Sequence, residues 1–111
     1  LTDSGLEIEY QADTADQIAS AIKARASMKT NSSALIVANP VKNQMDKKLH
    51  DSILASGLAS AEKEGITGKA VTPFLLEHFH TASDGDSLRV NIEIIKSNSA
   101  LAADIAVALN K

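Results

Sequence analysis

Ala34-Leu35-Ile36-Val37-Ala38-Asn39-Pro40 is the stretch on which the fold reading turns. A run that is apolar at every position and of strand length suits a strand covered on both faces, as in a parallel sheet packed between helices. It stops at Asn39-Pro40. Proline has no N–H for a ladder, and it holds the residue before it in extended geometry. The chain is therefore expected to leave the sheet with the Asn39 carboxamide at the strand's C-terminal end, where open α/β sheets place their ligands.

Upstream, Leu6, Ile8 and Tyr10 alternate with Glu7 and Glu9, which predicts a short strand with one buried face over Gly5–Tyr10. Thr14 and Gln17 have capping-box spacing. The helix they open carries Ile18, Ala21, Ile22, Arg25 and Ala26 at helical intervals and runs to about Lys29. Asn31-Ser32-Ser33 then forms a loop.

Downstream, a helix is predicted from about Gln44 to Lys63, with Met45, Leu49, Ile53, Leu54, Leu58 and Ala61 as its buried stripe. Gly65 reads as the left-handed residue just past its end. Ile66 to Ala70 is either a short strand or an irregular turn. Thr72-Pro73 reads as the start of another helix, with Thr as N-cap and Pro at the first helical position. Leu75, Leu76 and Phe79 supply its apolar face, and Ser83-Asp84-Gly85-Asp86 is a turn. Leu88, Val90, Ile92 and Ile94 alternate with polar neighbours as a strand would, while Leu88, Ile92, Ile95 and Ser99 also fit one side of a helix. From Asn98 onward, Leu101, Ala102, Ile105, Ala108 and Leu109 mark an amphipathic helix. The expected class is α/β, helix-rich with few strands, and the sheet is too small to be complete within these residues.

Composition narrows function by exclusion. The chain has 111 residues, 44% of them apolar and 23% charged, which suits one packed domain rather than disorder. A net charge of −3 gives no basic face for nucleic acid. With 3% aromatics there is little for bases to stack on. The absence of cysteine excludes disulfides, thiolate nucleophiles and cysteine zinc sites. No apolar run nears the roughly 20 residues of a membrane span. The chain does not begin with Met, and no signal peptide is visible. A soluble intracellular protein is the expectation.

Few residues present themselves for chemistry. Glu7 and Glu9 read as a solvated strand face. His50 stands alone on an exposed helix stretch. His78 and His80 point about 200° apart on a helix and cannot share one metal ion. Asp84-Gly85-Asp86 lacks the remaining ligands of a calcium loop. No P-loop, GxGxxG or GxSxG motif is present. Two stretches remain. Asn39 is either a turn-capping amide or a polar group offering both a donor and an acceptor, which suits the amide edge of a pyrimidine. Gly65-Ile66-Thr67-Gly68-Lys69-Ala70-Val71-Thr72-Pro73-Phe74-Leu75-Leu76 is either a connector before a well-started helix or an anion-binding turn, with Lys69 and Thr72 as the side chains concerned.

These two stretches, with Asp3-Ser4-Gly5-Leu6, the helix after Thr14, Ser87-Leu88, Asn91-Ile92, Lys96, Asn98 and Leu101 to Leu109, resemble the C-terminal part of pseudouridine-5′-phosphate glycosidases, the indigoidine synthase A-like family. Nearly the whole chain is covered, and Gly68-Lys69-Ala70-Val71-Thr72-Pro73-Phe74-Leu75-Leu76 is the most specific block. The chain departs from the family pattern at Ser97-Asn98, where two asparagines are usual. The resemblance implies an α/β/α layered fold, of which residues 1–111 form about the last third, and a homotrimer when complete. A sugar-kinase domain could follow in a fungal-type relative. It also implies that Ser87 to about Ile95 is helical.

The implied reaction is reversible cleavage of pseudouridine 5′-phosphate by water to uracil and ribose 5-phosphate. The bond broken is carbon–carbon, so protonating a leaving heteroatom gives no help. The family resemblance implies a lysine Schiff base as electron sink, an acid that protonates the uracil carbon, and Mn2+ nearby. All three sets of groups are expected upstream of the matched region. No catalytic residue and no metal ligand is therefore assigned within this chain, and Lys69 is not the Schiff-base lysine. What carries over is Asn39, as a contact to the uracil or sugar. Lys69 and Thr72 are further candidates for lining the site or capping a helix, and Asn91 and Asn98 are expected to be structural. The implied partners are small molecules, with no nucleic acid and no membrane, and the implied compartment is the cytoplasm, or an organelle in a eukaryote. The alternative from a different class is a stand-alone α/β ligand-binding or interaction domain without catalysis.

Overall fold

Most helix ends in the computed structural model, which describes residues 1–111, are set by a recognisable sequence device. Helix α1 spans Ala15–Ser27, α2 Lys47–Lys63, α3 Val71–Ala82 and α4 Asp86–Leu109, with a 3-10 turn at Gly68–Ala70 before α3. Thr14 caps α1: it has extended backbone, and its hydroxyl accepts from the Gln17 N–H at 3.2 Å. Gln17 reaches back as expected, but its Oε1 accepts from the Asp13 N–H at 2.7 Å, one residue beyond the cap. Helix α2 begins three residues later than its apolar spacing suggests. The cause is Asp46, whose carboxylate accepts from the Leu49 N–H at 2.9 Å and so takes the capping role.

The helix ends are equally legible. At the end of α2 the Gly65 N–H donates to Glu62 O and the Ile66 N–H to Ala61 O, a Schellman motif with Gly65 at φ +69°. The same pair of bonds closes α1 around Lys29 and α3 around Asp84, both non-glycine residues in left-handed backbone. Thr72 is not the N-cap of α3. The 3-10 turn feeds the helix from Gly68, so Thr72 and Pro73 lie inside its first turn. Proline is tolerated there because the first four N–H groups of a helix have no intrahelical acceptor. Ile66–Ala70 is thus a turn, not a strand.

The alternating segment Leu88–Ile94 is helical, as the family resemblance implies and the strand reading does not. It forms the start of the 24-residue α4, which continues without a break through Asn98. Val90 is completely buried and Ile94 packs with it one turn on, whereas Leu88 and Ile92 are about half exposed. Alternation and helical spacing coincide over so short a window, and burial follows the four-residue interval.

The strands expected at Gly5–Tyr10 and Ala34–Ala38 are absent, and the chain contains no sheet. The helix-rich part of the expected class stands, and the layered α/β arrangement is not formed by these residues. The reason is physical: a strand exists only by pairing. Ala34–Ala38 has no partner strand, and its apolar side chains face solvent, with Ile36 88% exposed. Ile8 and Tyr10 are likewise exposed. No helix is long and apolar enough to cross a membrane.

The chain divides into two units. The first comprises Leu1–Ser4 and Val41–Ile94. Its core is Met45, Ile53, Phe79 and Val90, with Leu1, Val41, Leu54 and Ile94 packed against it. Leu49 and Leu58, expected in the α2 stripe, are about half exposed; Gly57 is buried instead. A methyl group at Gly57 would lie 2.9 Å from Leu75 Cδ2 and 3.0 Å from His78 Cδ2, so the absence of a side chain lets α2 and α3 approach. The Leu1 carbonyl accepts from the Met45 N–H, and Gln44 Oε1 accepts from the Asp3 N–H, which ties the first residues down.

The second unit comprises Gly5–Pro40 and Ile95–Lys111. Its buried apolar residues are Ile18, Ala19 and Ala108. Arg25 holds the loop after α1 by donating to the Thr30 and Ser33 carbonyls and to the Ser33 hydroxyl.

Candidate functional site

Asn39 ends the apolar run, in backbone restrained by Pro40. It is half-buried, and its carboxamide is engaged on one side only. Nδ2 donates to Ser97 Oγ at 3.0 Å and to Asn98 Oδ1 at 3.1 Å, both on α4 and in the same unit. These bonds use the two N–H donors of the amide, and Oδ1 accepts nothing from the chain. Chemically this is an acceptor held by its own anchored donors. It suits an N–H or O–H of a bound molecule and does not suit an anion.

Asn98 has the structural role expected of it, and its partnership, with Ser97, to Asn39 is what sequence reading missed. Ser97 and Asn98 lie 58 and 59 residues away from Asn39. The available signal was the departure from the family pattern at Ser97-Asn98, which marked the place without giving its partner.

Lys69 and Thr72 belong to the other unit, so the three candidates of the sequence reading are divided between two units. Lys69 lies within the 3-10 turn and Thr72 in the first turn of α3, and both are exposed. The cap reading of Thr72 is replaced by a position inside the helix.

The histidines have structural surroundings. His50 lies on an exposed stretch but is itself partly buried: its ring lies 5.0 Å from that of Phe79 and bonds Asp51 at 3.2 Å. That bond, with Lys47 beside it, holds the Asp51 carboxyl below its ordinary range. His78 Nε2 bonds Ser56 Oγ at 2.8 Å, and its ring stacks near Phe74. His80 and Glu77 of α3 border a cavity of about 410 Å³ with Ser87 and Asn91 of α4, so Asn91 has an open side. Arg89 is paired with Asp86 and Glu93, which raises its already high pKa. No three histidine or carboxylate side chains gather as metal ligands, so the donor set does not fit a manganese ion.

A family model described as "Indigoidine synthase A like protein" matches residues 1–108. A protein of Salinispora tropica named pseudouridine-5′-phosphate glycosidase is 51% identical over 110 residues, covering 97% of this chain and 34% of that protein. One of the same name from Frankia alni is 46% identical over 104 residues, covering 92% of this chain and 28% of the relative. Another, from Saccharopolyspora erythraea, is 41% identical over 111 residues, covering 98% and 36%. The chain thus spans about a third of the length of the curated relatives it matches.

Proposed function

The chain belongs to the family of indigoidine synthase A like proteins, and from that premise we propose that it is the C-terminal portion of a pseudouridine-5′-phosphate glycosidase. The reaction is cleavage of pseudouridine 5′-phosphate by water to uracil and ribose 5-phosphate, and its reverse. The observation that carries this reading is the match along 97% of the chain, at 51% identity, to a protein of that name. The exposed apolar run Leu35–Val37 supports it: fully burying such side chains is worth roughly 1.5–3 kcal/mol each, so their exposure suits a segment completed by further polypeptide.

In this reading the lysine that forms the Schiff base and the acid that protonates the uracil carbon lie outside these residues. So do the ligands of the divalent metal, manganese by family resemblance. The complete protein is a homotrimer acting in the cytoplasm. This chain contributes Asn39, which offers its carboxamide oxygen to a donor of the uracil or sugar. Lys69 and Thr72 are secondary candidates for lining the substrate site.

Two measurements of uracil release test the proposal. The isolated 111-residue chain should give none, and the protein extended to the length of its relatives should turn over. An inactive extended protein overturns the reaction; an active isolated chain overturns the placement of the catalytic groups. Replacing Asn39 by Ala in the extended protein should lower turnover about 10- to 1000-fold, as loss of a positioning contact does. Unchanged kinetics would return Asn39 to a turn-capping role.

A further inference from the structure

We propose that Ser97 and Asn98 are positioning residues, which clamp the Asn39 amide by its NH2 group so that only Oδ1 faces the substrate. The inference rests on the reading of Asn39 given above and specifies how that residue works. A free carboxamide presents a donor face and an acceptor face of nearly the same shape, and it can exchange them by rotating about its last side-chain bond. Rotation here would turn Oδ1 toward the Asn98 oxygen and replace the 3.1 Å bond by a contact between two acceptors, while the Ser97 hydroxyl, 3.0 Å away, would change from accepting to donating. The two anchors are adjacent on a continuous helix, α4, so their spacing is set by helical backbone and not by a loop. The consequence is selectivity. The clamped group recognises a ring N–H or a sugar hydroxyl and discriminates against a ligand presenting a bare acceptor there, because two acceptors would then be left facing each other unpaired.

The test uses the extended protein and pseudouridine 5′-phosphate. Ser97→Ala should lower kcat/KM about tenfold, the effect of one lost anchoring bond. Ser97→Thr, which keeps the hydroxyl, should recover activity to within about twofold of the unaltered protein. In an Asn39→Ala background, Ser97→Ala should add nothing, since a residue acting only through Asn39 has no further route. Additive losses, or failure of Thr to rescue, overturn the clamp. A readout independent of turnover separates the two ideas: the Asn39 side-chain NH2 signals in 15N NMR, assigned by their loss in Asn39→Ala, should shift and exchange faster with solvent in Ser97→Ala. If the unaltered extended protein releases no uracil, the reaction reading falls and the NMR arm still decides the clamp. Unchanged NH2 signals in Ser97→Ala overturn the clamp whatever the activity.

Discussion

The two units of this chain use apolar residues in opposite ways. In the unit built from Leu1–Ser4 and Val41–Ile94, Met45, Ile53, Phe79 and Val90 close on one another and form a core. In the unit built from Gly5–Pro40 and Ile95–Lys111, Ile18, Ala19 and Ala108 are buried, while Leu6, Ile8, Tyr10, Leu35, Ile36 and Val37 stay exposed. Both contain well-capped helices. The difference is that helices satisfy their own backbones and need only a neighbour for one face, whereas extended segments need a ladder partner first. An apolar pattern therefore reports that a segment is meant to be covered, not that its cover lies in the same stretch of chain.

The sharpest way to break that comparison is to truncate one large side chain in each unit and follow urea unfolding. Phe79→Ala should cost about 3–5 kcal/mol, since it empties part of a closed core. Ile36→Ala should change the 111-residue chain by less than about 0.5 kcal/mol. In the protein extended to the length of its relatives, the same substitution should cost about 2–5 kcal/mol. Equal, small effects of Ile36→Ala in both lengths would mean that the run is never covered.

A smaller effect tests the closeness of α2 and α3. Gly57→Val introduces a Cβ less than 3 Å from Leu75 Cδ2, plus two methyl groups, and should destabilise by about 1–3 kcal/mol. Smaller still, Lys29→Gly should stabilise α1 by up to about 1 kcal/mol, because the left-handed C′ position costs a side-chain-bearing residue and not a glycine. Gly65 already occupies the equivalent position after α2. The smallest effect is electrostatic. His50 first and Lys47 second hold the Asp51 pKa down, so the carboxylate is favoured in the folded state. Its contribution is present in full above the ordinary value of 3.8 and is lost as the pH falls below that value. Asp51→Asn should therefore narrow the stability difference between about pH 5 and about pH 2, and by little, because Asp51 is exposed to solvent.

What could be read in advance follows the same division. Thr14 with Gln17, and Gly65 after Glu64, are local devices whose partners lie within a few residues, and the structure forms them. Asp46 displaced the expected start of α2 because a capping carboxylate outweighs an apolar residue such as Met45 at the same boundary. Thr72-Pro73 misled because a 3-10 turn had already begun the helix. Leu88–Ile94 fitted two periods at once, and only the burial of Val90 and Ile94 separates them. The strand at Ala34–Ala38 failed as a structural expectation for want of a partner. Asn39 was legible as a candidate, but its anchors at Ser97 and Asn98 were not, since no spacing rule links residues so distant in sequence.

The bare ribbon at Ala34–Ala38 has one more consequence, for anyone who handles the chain at these boundaries. Five uncharged residues with Leu, Ile and Val at their centre, open to water, are a template for stacking against copies of themselves. Colloidal behaviour at high concentration will then be governed by this short segment, and a lysine placed at Ile36 is the simplest way to keep such a sample dispersed.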